Sequence, residues 1–234
     1  MKITIGNQKL IITNSESKER KGSPNQIVGW RDVVETCHTL DAVCSVIKQD
    51  APLKIVDGIA RAGMWGAIFR NRWPDCKLHL NEQDLTCVDV LQRNFPNDKI
   101  TSLDIKRWRP KSCDLSLLDF DHFTLRILDQ WKDVLIKWSN TTERYFIVAD
   151  GACFGFKFGN MKHYGIKTDE EYYYLLNEAL IKFLDKQITA VSKFNNAATI
   201  LLEPKKKDKN ITFLLPSKLV VTKNANSRTT LFEL

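Results

Sequence analysis

The sequence predicts an α/β fold with a mostly parallel sheet and helices on both faces. Three observations predict it. From residue 53 onward, short apolar runs alternate with segments whose apolar residues recur at helical spacing. Repeated strand–helix alternation is the pattern of a parallel sheet covered on both sides. Five successive runs also end on an acidic residue, at the carboxyl ends of strands where such sheets bind ligands.

The elements follow in order. "KITIGNQKLIIT" reads as two short strands around a Gly6-Asn7 turn. The polar stretch "NSESKERKGSPN" reads as a loop. Trp30, Val33, Val34, Cys37, Leu40, Val43, Cys44 and Ile47 then form one apolar stripe of an amphipathic helix, with His38 beside it as a surface polar residue. Next come a strand "LKIVDG", a helix over 64–72, a strand "CKLHLNE", and a helix over 84–95 stopped by Pro96. The strands "ITSLDI" and "CDLSLLDFD" precede a helix over about 123–138, and "RYFIVADG" is the next strand. A long loop spans 151–168. "DEEYYYLLNEALIKFLDKQ" is a helix, and "AATILLEP" and "ITFLLP" flank "KKKDKN" as a C-terminal hairpin.

With 234 residues, 43% of them hydrophobic, the chain supports one sizeable core. No apolar run is long enough to span a membrane, and polar residues interrupt any signal-peptide core at the N-terminus. The six cysteines form no CxxC pair and lie in apolar-periodic segments, so they read as reduced core residues of a cytoplasmic protein. No metal site is expected. The formal charge of +7 favours an anionic partner.

The strand-end acids are Asp57, Glu82, Asp104, the pair Asp119 and Asp121, and Asp150. A single such acid is an ordinary cap. A pyrophosphate would need G-x-G-x-x-G with no carboxylate beside it. Here Asp57-Gly58 is followed by Gly63 and Gly66, and Asp57 would repel a phosphate. S-adenosylmethionine has no phosphate and presents an ammonium, ribose hydroxyls and an adenine amino group, all donors that carboxylates accept. Asp57 would orient the turn and the ammonium, Gly63 would let the cofactor approach, Glu82 would take the ribose and Asp104 the adenine. The series therefore favours S-adenosylmethionine over NAD.

The segment from about 53 to 125 resembles class I S-adenosylmethionine-dependent methyltransferases. Its motifs "VDGIARAGMWG", "LNEQDLTCVDVLQRNF" and "LLDFDHF" are most similar to the tRNA guanine-N2 dimethyltransferase family. The resemblance implies a Rossmann-like, mostly parallel seven-stranded sheet over residues 51–234. Residues 1–50 would be an N-terminal hairpin and helix packed on that core. It also implies cofactor contacts at Asp57, Gly58, Ala60, Gly63 and Glu82, and a catalytic run at Asp119-Phe120-Asp121-His122-Phe123. His122 departs from the family, which has Pro there.

Methyl transfer to an exocyclic amine needs a carboxylate that accepts an N–H bond, orients the lone pair and receives a proton. Asp119 is ranked first for this and Asp121 second; Asp121 could instead cap the helix from 123. Phe120 and Phe123 are either base-stacking or core residues. The loop after the fifth strand interleaves Phe156, Lys157 and Tyr164 with glycines, which suits stacking on bases and holding phosphates. In "DIKRWRPKSC", Lys106 and Trp108 are candidate contacts, with Arg109 and Lys111 remote. The expected function is a methyltransferase acting on an RNA or DNA base amine. The alternative is a catalytically inactive methyltransferase-like binding or scaffold subunit of a larger complex.

Overall fold

A computed structural model of the chain describes residues 2–12, 30–48, 54–120, 123–125, 128–150, 165–195, 197–207, 210–225 and 228–231. The main sheet has strands β3 (Lys54–Asp57), β4 (Lys77–Asn81), β5 (Lys99–Thr101), β6 (Cys113–Phe120), β7 (Thr142–Asp150), β8 (Lys186–Phe194), β9 (Ala197–Pro204) and β10 (Thr212–Leu214). Their order is β10-β8-β9-β7-β6-β3-β4-β5. Only β9 runs against the others. The sheet is thus parallel for the most part, as expected, with eight strands in place of seven.

Strand alternation sorts the side chains into two cores. On one face Ile55, Leu115, Leu117 and Ile147 pack with helices α1 (Trp30–Ser45), α2 (Met64–Arg72) and α3 (Leu85–Asn94). On the other, Val56, Leu118, Phe120, Phe146 and Val148 pack with α4 (Leu128–Thr141) and α5 (Asp169–Leu180). The central strand β6 is buried along nearly its whole length, with Leu115, Leu117, Leu118 and Phe120 facing the two cores.

A second, four-stranded sheet joins the two ends of the chain. Strands β1 (Lys2–Ile5) and β2 (Gln8–Ile11) form the expected N-terminal hairpin, and β1 pairs with β11 (Val221–Ala225), itself paired with β12 (Arg228–Leu231). Two asparagines clip the N-terminal hairpin onto the core. Asn94 accepts from Ile11 N at 2.8 Å and donates to Ile11 O and, in the loop after β3, to Ala62 O. Asn71 accepts from Asn7 N and donates to Ile5 O.

Several expectations are corrected. The expected helix overruns and β8 goes unassigned beyond Gln187: α5 stops at Leu180, β8 starts at Lys186, and buried Asn177 accepts from Ile188 N at 2.7 Å, tying helix to strand. Pairing along β9 decides for the strand. The C-terminal hairpin accordingly joins β8 to β9, while β10 lies parallel to β8. α4 begins at Leu128 in place of 123, and Asp121 lies outside the described residues. His38 is buried, with Nδ1 2.7 Å from Ser217 O, and burial lowers its pKa.

Candidate functional site

The carboxyl ends of β3, β4 and β6 converge on one cluster. Asp57 closes β3 on the face toward α1 and α2 and is fully buried. Its Oδ1 accepts from Ile59 N at 3.2 Å, whereas its Oδ2 has no hydrogen-bond partner among the described residues. Burial pushes its pKa well above the ordinary carboxylate value, and the charges of Asp119 and Glu82 push in the same direction.

Asn81, at the end of β4, fixes the surrounding backbone. Its Nδ2 donates to Gly58 O and Leu103 O, and its Oδ1 accepts from Thr101 Oγ1 and Leu103 N. All its hydrogen-bonding groups are used, so one side chain locks the loop after β3 to the ends of β4 and β5. Next to it, Glu82 accepts from Arg61 N at 2.7 Å and from Asp84 N at 2.9 Å.

The loop between β3 and α2 is tightly bonded. Ala60 N donates to Asn81 O, and Gly63 N donates to Ala60 O. Arg61 takes a left-handed backbone with φ 50°, uncommon for a side chain of this size. The carboxylate of Glu82 on its amide holds it there. The Arg61 side chain lies 3.4 Å from Asp119 Oδ2, both groups largely shielded from water. Asp119 sits on β6 two positions beyond Leu117, the residue paired with Asp57, so Asp57 and Asp119 share a face.

Comparison with solved structures identifies the architecture. The chain superposes on the mitomycin 7-O-methyltransferase MmcR with a TM-score of 0.54 at 12% identity, covering 76% of this chain and 55% of that one. For human N-acetylserotonin methyltransferase, solved in complex with SAM, the values are 0.50, 16%, 73% and 52%. For a Pyrococcus horikoshii protein assigned as an RNA methyltransferase they are 0.52, 11%, 73% and 83%. The chain has the class I methyltransferase fold. It spans about half the length of the first two of these structures. No protein-family profile matches the sequence, and neither does any curated protein.

Within this methyltransferase fold the residues singled out in the sequence separate into groups. Asp57, Ala60, Glu82 and Asp119 come together. Gly58 and Gly63 border the same loop, but helix packing explains both. A Cβ on Gly58 would lie 2.5 Å from Leu118 and 2.6 Å from Trp138. One on Gly63, whose φ is 94°, would lie 2.2 Å from Phe95. The space assigned to an approaching cofactor at Gly63 is thus filled by the Phe95 ring. Asp104 is half-buried and caps its own turn, accepting from Lys106 N at 2.9 Å.

Phe120 and Phe123 are core residues, which corrects the base-stacking alternative. Phe120 is one position from Asp119, so its side chain passes to the α4 face, where it stacks on Phe123 at 5.3 Å and meets Trp131 at 4.7 Å. Asp150 serves the same face, accepting from Phe123 N at 3.0 Å. Asp121, Phe156, Lys157 and Tyr164 lie outside the described residues.

Arg61 went unassigned in the sequence, and Asn81 stood there only as part of the family-like pair Asn81-Glu82. The signal for Asn81 was an amide ending an apolar strand, a residue type strands disfavour. For Arg61 it was a long cation inside a loop of small residues. Met64, the first residue of α2, is buried in the core. The described cysteines are all buried and in no disulfide, and burial raises the thiol of Cys76 to about 11 and of Cys113 to about 12. Such thiols are protonated near neutrality and are poor nucleophiles.

Proposed function

We propose that the protein is an S-adenosylmethionine-dependent methyltransferase that modifies a base amine of nucleic acid. The observation that carries this reading is Asp57 Oδ2, a fully buried carboxylate oxygen without a hydrogen-bond partner at the loop after β3. Leaving such an oxygen unpaired is costly, and a cationic donor offsets that cost best. The donor set of S-adenosylmethionine fits the acids here. Asp57 would take the ammonium. Glu82 keeps further lone pairs for ribose hydroxyls after accepting two backbone amides. Asp104 would take the adenine amino group, with Gly58, Ala60 and Gly63 forming the adjoining loop, and Arg61 would meet the cofactor's carboxylate.

When bound, S-adenosylmethionine supplies an electrophilic methyl group. The chain's own part is positioning and proton handling. Asp119 accepts one N–H of the amine, turns its lone pair toward the methyl and receives the released proton. The Arg61 side chain, 3.4 Å from Asp119 Oδ2, pairs with that carboxylate across the site. Asp121 is the second candidate for this role. The nucleic-acid substrate is supported by the +7 charge, by the composition of the loop containing Phe156, Lys157 and Tyr164, and by the motif likeness to tRNA guanine-N2 enzymes.

The test is calorimetric titration of S-adenosylmethionine, followed by transfer of labelled methyl to mixed RNA and DNA. Heat on titration and label in nucleic acid are the expected results. Absence of heat at high protein concentration sinks the enzyme. Heat without transfer favours the second reading, a methyltransferase-like scaffold subunit, which the Arg61–Asp119 pair across the site motivates.

A further inference from the structure

A basic cleft of about 520 Å³ lies between the segment after β5 and helix α4, outside the carboxylate cluster. Lys106, Arg107, Arg109 and Lys137 line it, with Asp133 as the acidic lining residue. Arg107 is almost fully exposed, and its contact with Asp104 is a loose 4.0 Å. Lys137 donates to Ile105 O at 2.6 Å and Lys106 O at 3.0 Å, which uses two of its three donors and fixes its ammonium in place. Burial and the neighbouring charge of Arg109 lower the Lys137 pKa, against a smaller opposing influence of Asp104. Cations are therefore held together with too few anions to neutralise them.

The cleft also reaches the aromatic group that packs on the α4 face of β6. Lys106 Nζ lies 5.2 Å from the Trp131 ring centre, and Trp131 is 4.7 Å from Phe120, the residue after Asp119. Trp131 is only partly buried, so an aromatic face stands between the cations and the end of β6. Fixed cations beside an aromatic face are the features that hold single-stranded nucleic acid: phosphates on the charges and a base against the ring.

We propose that this cleft binds the phosphodiester backbone of a single-stranded nucleic acid, with one base against the Trp131 ring. The assignment rests on the nucleic-acid reading above and adds the path of the strand. It makes Arg109, expected from sequence to be remote, a substrate contact.

The experiment is fluorescence anisotropy of the whole protein with short labelled oligouridine and oligothymidine across a salt series. It compares the wild type with Arg107→Ala/Arg109→Ala. Both side chains are exposed, so the melting temperature should not move. The double variant should bind on the order of ten-fold more weakly at low salt. Its log–log salt slope should be shallower by roughly 1.4, at about 0.7 per lost contact to a single strand. Equal affinity and slope in both proteins would overturn the cleft while leaving a nucleic-acid substrate in place. No binding by either, with cofactor heat intact, would overturn the cleft and the nucleic-acid reading together.

Discussion

The two faces of β6 treat their polar groups differently. Toward α4, Asp150 accepts the amide of Phe123, and Phe120, Phe123 and Trp131 form a packed aromatic group. Toward α1 and α2, Asp57 keeps an oxygen without a partner and Asp119 faces Arg61 across the loop. Among the described residues the α4 face leaves the Trp138 indole N–H without a hydrogen bond but holds its carboxylate, Asp150, in one. The other retains a carboxylate that folding leaves incomplete, and groups of that kind mark binding sites more often than structure.

Substitutions can break this contrast. The largest effect is expected for Asp119→Asn, which should lower methyl transfer on the order of 10³-fold while sparing cofactor binding. Labelled-methyl transfer alongside calorimetry checks it, and a parallel loss of cofactor affinity would make Asp119 structural. On the opposite face, Phe120→Ala should cost about 3 kcal/mol of stability, measured by denaturant unfolding. Asp150→Ala should cost about 2 kcal/mol, since it orphans the buried amide of Phe123. If either left stability unchanged, the α4 face would not be the structural side.

The smallest effect has the opposite sign. Asp57→Asn should stabilise the unliganded protein by about 1 kcal/mol near neutral pH, because it removes an ionisable group that burial disfavours. The direction follows from linkage. A carboxyl whose folded pKa is raised favours folding fully only below its ordinary value of 3.8, and that contribution is lost as pH rises toward the raised value. Melting curves across this range should separate progressively, with the variant higher at the upper end. The same variant should bind S-adenosylmethionine about ten-fold more weakly. A variant that is both less stable and unchanged in cofactor affinity would remove Asp57 from the site.

Much of the fold was legible because it depends on local period. The alternation from residue 53 to 150 foretold β3 through β7 and the helices between them, and the Gly6-Asn7 turn foretold the first hairpin. The misreadings occurred where contacts outside the local period decided. The expected helix runs on through Gln187, but residues 181–185 turn and pairing with β9 makes 186–194 a strand. His38 looked like a surface residue because its partner, Ser217, is distant in the chain.

The sequence by itself determined that acids end consecutive strands, because residue type and hydrophobic period are written locally. Tertiary structure alone decided what each acid does. Strand alternation sent Asp119 and Phe120 to opposite faces, and one oxygen of Asp104 was taken by the amide of Lys106 in its own turn. Glu82 was spent in part on the backbone of Arg61. Asp57 was left with a bare oxygen. These outcomes depend on which distant groups come within about 3 Å, a distance at which a hydrogen bond forms or fails, and no local pattern encodes it.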